Sequence, residues 1–151
     1  MTIRAKHFEF EPDSTVTKNL HESTLVTDSD VETFLAGLSD PNANEAILTH
    51  ESRPMKQHPL TGRMTPDHSL KIAVAGGYGY AEYTGPGHWC QAVGDPDSPE
   101  YHTSRSDTMR AGNGLSFPTL TRLVTEFLET GELPQLVTWR EQADPSVTHL
   151  S

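Results

Sequence analysis

The stretch "IAVAGGYGYAEYTG", Ile72 to Gly85, is the part of this sequence that most resembles a chemical site, because an apolar run enters a cluster of glycines. A dinucleotide fingerprint needs Gly-x-Gly-x-x-Gly opening a helix, whose N-terminus then holds the pyrophosphate. From Gly77 the pattern runs Gly77, Gly79, and then Glu82 where the third glycine belongs. No lysine follows to make a P-loop, and "YAEYTGPG" continues as an aromatic strand closed by a turn. The spacing therefore predicts two strands and the turn between them, with no phosphate cradle.

Metal and nucleophile patterns are equally incomplete. His50-Glu51 and His21-Glu22 lack the second histidine of a His-Glu-x-x-His zinc helix. His88 and Cys90 lie two apart on one face of an expected strand, without a second ligand pair. His7-Phe8-Glu9 matches half of a zinc-deaminase signature, but the Pro-Cys-x-x-Cys half is absent and Cys90 is the one cysteine of the chain. There is no Gly-x-Ser-x-Gly elbow, and a thiol inside a strand is ordinarily inert. The residues thus call for no catalytic group, metal or cofactor, and point to a protein that works by contact. The rival is a small hydrolase using a histidine and a carboxylate in a pocket.

Charge says what that contact favours. Across 151 residues, 11 Lys and Arg against 21 Asp and Glu give a net charge of −10. Nucleic acid and anionic membrane would be repelled, and a basic partner favoured. The imbalance is concentrated: between Lys18 and Arg53 there are seven acids and no Lys or Arg. The N-terminus lacks the apolar segment of a secretory signal and no run is long enough for a membrane helix, so a cytoplasmic protein is expected.

The elements that would carry these side chains follow from periodicity. "KHFEFE" suits a short edge strand, and Ser23 to Thr27 another strand. "DSDVETFLAGL" reads as a helix capped by Asp28 or Ser29, with Val31, Phe34, Leu35 and Leu38 as its core stripe and Asp40-Pro41 as its stop. Glu45 to Glu51 is a strand, and Ser52 to His68, rich in proline, an irregular excursion. Leu70–Val74, Tyr78–Tyr83 and His88–Val93 make a meander, followed by a polar stretch with one short strand near Tyr101. "FPTLTRLVTEFLETGELP" is a helix capped by Ser116 and ended by Gly131, with Leu120, Leu123, Val124, Phe127 and Leu128 buried. Gln135 to Trp139 is a last strand. One domain over residues 1–151 is expected, of class α+β, with a largely antiparallel sheet packed against two main helices and a frayed tail over 142–151.

The order "LKIAVAGGYGYAEYTGPGHWCQAVGDPDSPEYHTS", then "FPTLTRLVTEFLETGELPQLVTWRE", resembles the immunity protein 1 family of bacterial polymorphic toxin systems. The likeness covers residues 44–141: a glycine turn, a "GYGYAEY" strand, a tryptophan strand ending in "GDP", a "VTEFLETGELP" helix and a strand closing on Trp139-Arg140-Glu141. The tract "EYHTSRSDTMRAGNG" departs from it in having few strand-forming aromatics. The resemblance implies an antidote that binds and occludes a cognate toxin domain, a nucleic-acid deaminase or nuclease, without a cofactor. The contact residues expected are Asp28, Asp30 and Glu32, then Tyr78, Tyr80, Glu82 and Trp89, with Asp95 and Asp97 behind them. Glu141 and Trp139 come from the resemblance alone, Trp139 as a core residue.

Overall fold

A computed structural model describes residues 2–10, 17–40, 43–103 and 108–142. Seven strands form one sheet: β1 (Ile3–Phe10), β2 (Thr17–Leu25), β3 (Ala43–His50), β6 (Ser69–Ala75), β7 (Tyr78–Gly85), β8 (His88–Ala92) and β11 (Trp139–Glu141). Their order across the sheet is β11-β8-β7-β6-β3-β1-β2, and every neighbouring pair is antiparallel. Two smaller ribbons stand apart from it, β4 (Met55–Gln57) with β5 (Met64–Pro66), and β9 (Tyr101–His102) with β10 (Thr108–Met109). With helices α1 (Asp28–Gly37) and α2 (Phe117–Thr130), the architecture is α+β, as the periodicity predicts.

Strand alternation sorts the sheet into two faces. Ile3, Ala5, Leu25, Ala46, Leu48, Leu70, Ile72, Ala81, Tyr83, Cys90 and Ala92 all point to one core, where they meet Val31, Phe34 and Leu35 of α1 and Leu120, Leu123, Val124, Phe127 and Leu128 of α2. Both helical stripes are those expected from their i, i+3, i+4 spacing. Ser116 caps α2, and Gly131 ends it in a left-handed conformation, its N–H donating to the Phe127 carbonyl at 2.8 Å. Trp139 also packs against this core and donates its indole N–H to the Pro134 carbonyl.

Several local expectations are corrected. Thr27, not Asp28 or Ser29, caps α1: its hydroxyl accepts from the Asp30 N–H, while the Asp30 carboxylate accepts from the N–H groups of Val26 and Thr27. This reciprocal box starts the helix one residue earlier and uses Asp30 as a structural acceptor. The helix also ends sooner, with Leu38 at its C-cap. The β1 strand is not at an edge, because the crossover through α1 brings β3 to its free side, leaving β2 outermost and longer than Ser23 to Thr27. The excursion 52–68 contains the β4–β5 hairpin, whose turn holds both Pro59 and Gly62. The last strand begins only at Trp139, since the Gln135 N–H is taken by the Glu126 carboxylate and lost to the ladder. The expected tail lies, beyond Gln142, outside the described residues.

The glycine cluster divides into two jobs. Gly76 and Gly77, with φ of 60° and 82°, form a two-residue turn between the paired residues Ala75 and Tyr78. Positive φ at both positions is what a tight hairpin turn requires. Gly79 exchanges backbone hydrogen bonds with Leu115 at 2.9 and 2.7 Å, where the chain entering α2 crosses β7. A Cβ there would collide with the fully buried Leu120 side chain. Gly79→Ala should therefore destabilise the fold by roughly 1–3 kcal/mol, measured as a lower urea midpoint at unchanged m-value, whereas Gly37→Ala, with open space at its Cβ, should not.

Candidate interaction surface

The second face of the sheet is covered on one half only. Over β6, β7 and β8 lies the β9–β10 ribbon, where Ala73, Tyr80 and Met109 form a small core edged by Tyr78 and Tyr101. Gln91 joins the layers through all four bonds its carboxamide can make. Its Nε2 donates to Glu82 Oε1 at 2.9 Å and to the Thr108 carbonyl at 2.8 Å. Its Oε1 accepts from Arg110 N at 3.0 Å and Asn113 Nδ2 at 2.9 Å. Tyr80 donates its hydroxyl to the Pro99 carbonyl at 2.6 Å.

This cover changes the standing of the expected contact residues. Tyr78, Tyr80 and Glu82 do share a strand face, but Tyr80 and Glu82 are buried beneath the ribbon, Glu82 beside Lys71 at 3.8 Å. They hold the layers together and are not available as surface anchors. Tyr78 is half-buried and donates its hydroxyl to Asp95 Oδ2 at 3.2 Å, while Asp95 Oδ1 accepts from Asp97 N at 2.8 Å. The bond to Asp95 raises the Tyr78 pKa. Tyr78, Asp95 and Asp97 thus form one exposed corner at the β6–β7 turn.

Trp89 and Glu141 form a second locus. Trp89 is half-buried, opposite Thr84, and its N–H donates to Glu141 Oε2 at 3.3 Å. Thr84 is six residues along β7 from Tyr78, so the two loci stand about 20 Å apart. Glu141 also meets His88 at 3.3 Å, and with the buried Cys90 these form a His–Cys–Glu cluster whose ligand atoms lie within 4.8 Å of one another. Burial, with the charges of Glu141 and Glu82 adding, pushes the Cys90 thiol up to about 12.

The acid-rich run in sequence does not become one acidic patch. Glu22 pairs with Lys6 at 3.8 Å, Glu51 with Arg4 at 2.7 Å, and Glu45 is buried. These three sit on or beside strands of the half-covered face, and the Asp30 carboxylate, still charged, accepts the Val26 and Thr27 N–H groups in the α1 capping box. Asp28 and Glu32 remain exposed at the start of α1, with no ion pair among the described residues.

The open half of the second face, over β1, β2 and β3, forms a groove of about 930 Å³ walled by the β4–β5 hairpin. Arg4, Lys6, Glu22, Thr24 and Thr49 line its floor, and Met55, Arg63 and Met64 its wall. The hairpin base is fastened by Arg53, which bonds Asp67 at 3.0 Å and Glu132 at 3.0 Å. Beneath it His68 donates Nδ1–H to Asp67 at 2.8 Å and accepts from the His50 N–H at 2.8 Å. His50 donates Nε2–H to the Leu128 carbonyl at 2.8 Å and accepts from Ser52 Oγ at 2.7 Å. A histidine bonded to a serine has the look of a nucleophile and its base. Here the other ring nitrogen satisfies a carbonyl in the last turn of α2, which is a capping role. Nothing in the spacing of His50, Asp67 and His68 along the chain signals this cluster; the pairing of β3 with β6 creates it.

The profile of the Immunity protein Imm1 family matches residues 20–141, which takes in the large sheet from Leu20 of β2 onward, together with both helices and the groove wall. No curated protein is similar enough to count as a relative. No helix among the described residues is long and apolar enough to cross a membrane.

The buried cluster sets a pH response. Burial lowers the His68 pKa, against the opposing pull of Asp67 and with Arg53 and His50 nearby. Burial alone would raise the Asp67 carboxyl, but the hydrogen bonds from Arg53 and His68 and the charge of Arg53 hold it below its ordinary value. The folded protein thus keeps His68 neutral while the unfolded chain protonates near pH 6.5, so stability is lost as pH falls below about 6.5. It is lost again below about 4 as Asp67 protonates in the unfolded chain. Chemical denaturation at stepped pH should show the first loss, with a slope of up to about 1.4 kcal/mol per pH unit, and His68→Gln should flatten it.

With the family profile matching 122 of its 151 residues, from 20 to 141, the chain belongs to the Immunity protein Imm1 family.

Proposed function

We propose that this protein neutralises a cognate toxin domain by stoichiometric binding in the cytoplasm, and that the toxin is a deaminase or nuclease acting on nucleic acid. Binding blocks the toxin's substrate cleft with no chemical step and no cofactor. The observation that carries the choice of toxin is charge. A net −10 protein with Asp28 and Glu32 exposed at the start of α1 suits a cleft made basic to hold phosphates.

The contact set narrows on this reading. Asp28 and Glu32 supply steering charge, and Asp30 adds its own charge while serving as a cap. Tyr78 with Asp95 and Asp97, and Trp89 with Glu141, are separate candidate contacts. Tyr80 and Glu82 leave the set because the β9–β10 ribbon covers them.

Co-expression with the toxin domain encoded beside its gene should rescue cells and yield a 1:1 complex on purification. Cell death together with no complex at micromolar concentrations would sink the proposal. Reversing Asp28 and Glu32 to lysine should slow association about tenfold at low salt while dissociation changes little. Stopped-flow mixing at two salt concentrations measures both.

A further inference from the structure

The β4–β5 hairpin is costly to keep unless something covers it. It exposes side chains on both faces, and an isolated two-stranded ribbon is marginal in water. Its residues contribute nothing to either hydrophobic core. Yet of the five large apolar side chains exposed among the described residues, three lie here: Met55 at 50%, Leu60 at 90% and Met64 at 54%. Apolar groups gathered on one projection mark a binding surface more often than a stability device.

Its charge is opposite to that of the molecule. Between Glu51 and Asp67 the chain carries Arg53, Lys56 and Arg63 and no acid, within a protein of net charge −10. Arg53 is consumed at the base by Asp67 and Glu132. Lys56 and Arg63 have no ion pair among the described residues. They alternate with the methionines along the two strands and so stand on the opposite face of the ribbon, and Arg63 lines the groove. Methionine adapts its shape to a partner, and Met and Arg are enriched in interface centres.

From these observations we infer that the β4–β5 hairpin, with the groove behind it, is the principal docking element for the toxin. It takes a toxin cleft that closes on both faces of the ribbon, one wall apolar and the other bearing carboxylates. Met55, Leu60 and Met64 enter the apolar part, while Lys56 and Arg63 meet the carboxylates. Leu25 pairs with Ile3 and Ile3 with His50, so α1 and the hairpin leave the sheet at the same end. One end of the molecule therefore presents acids on α1 and cations on the hairpin, and fits a partner surface of mixed sign in only one orientation. The inference rests on the toxin-binding reading above.

The test uses the full-length protein and the toxin domain encoded beside its gene. Met55→Glu/Met64→Glu and Lys56→Glu/Arg63→Glu are compared with wild type by calorimetry, with thermal unfolding as the folding control. The altered side chains are largely exposed, so folding should survive. Each pair should weaken binding by about tenfold or more, mainly through faster dissociation. Hairpin amides should also gain hydrogen-exchange protection in the wild-type complex. Wild-type affinity in both variants, or hairpin amides that exchange equally in the free and bound protein, overturns the inference while leaving the toxin-binding reading intact. A wild-type protein that does not bind the toxin domain removes both. A homodimer that Met55→Glu/Met64→Glu dissolves without loss of toxin affinity would show that the hairpin serves a second copy of this chain, and would also overturn it.

Discussion

The organisation of this molecule depends on the Gln91 carboxamide. A seven-stranded sheet with both helices on one side leaves its second face to be covered or left open. Gln91 is buried on β8, and its four hydrogen bonds reach Glu82 on the neighbouring strand, the Thr108 carbonyl, the Arg110 amide and Asn113. A buried amide with any of these bonds unmade would cost about 1–3 kcal/mol. The ribbon and the loop before α2 are therefore tied to the sheet as a unit. The cover ends there, and the remaining strands of that face form the groove floor.

That division sorts side chains into those that build and those that can meet a partner. Tyr80 and Glu82 belong to the covered half, where Glu82 also stands 3.8 Å from the Lys71 ammonium. Arg4, Lys6, Glu22 and Glu51 belong to the open half, where their pairs are solvated and contribute little to stability. The hairpin wall is a different case. It has a rigid base, in which Arg53, Asp67, His68 and His50 bond one another and the end of α2. It has an exposed tip that adds almost no core.

The stripe from Leu120 to Leu128, its Ser116 cap and its Gly131 stop were readable because helix period and capping chemistry are local. The Gly76-Gly77 turn was readable for the same reason. Thr27 was missed as the α1 cap because Asp28, Ser29 and Thr27 are all good caps, and only the Asp30 carboxylate reaching back to Val26 and Thr27 decides among them. The hairpin within 52–68 is not legible because two three-residue strands, the second holding Pro66, carry no alternation signal. The acid run between Lys18 and Arg53 is legible as composition, but crossing from β2 through α1 to β3 distributes its members over opposite sides of the sheet.

The sequence by itself determined the period of each element, the turn glycines, the excess of negative charge and the family, because all of these depend on neighbours within a few residues or on simple sums. Alternation along β7 also determined that Tyr78, Tyr80 and Glu82 share a face. Only the tertiary structure decided that this face is buried over β7 and open over β1. Which layer covers a strand depends on where a segment twenty or more residues away returns, and that is set by burial and hydrogen bonding summed over the whole chain.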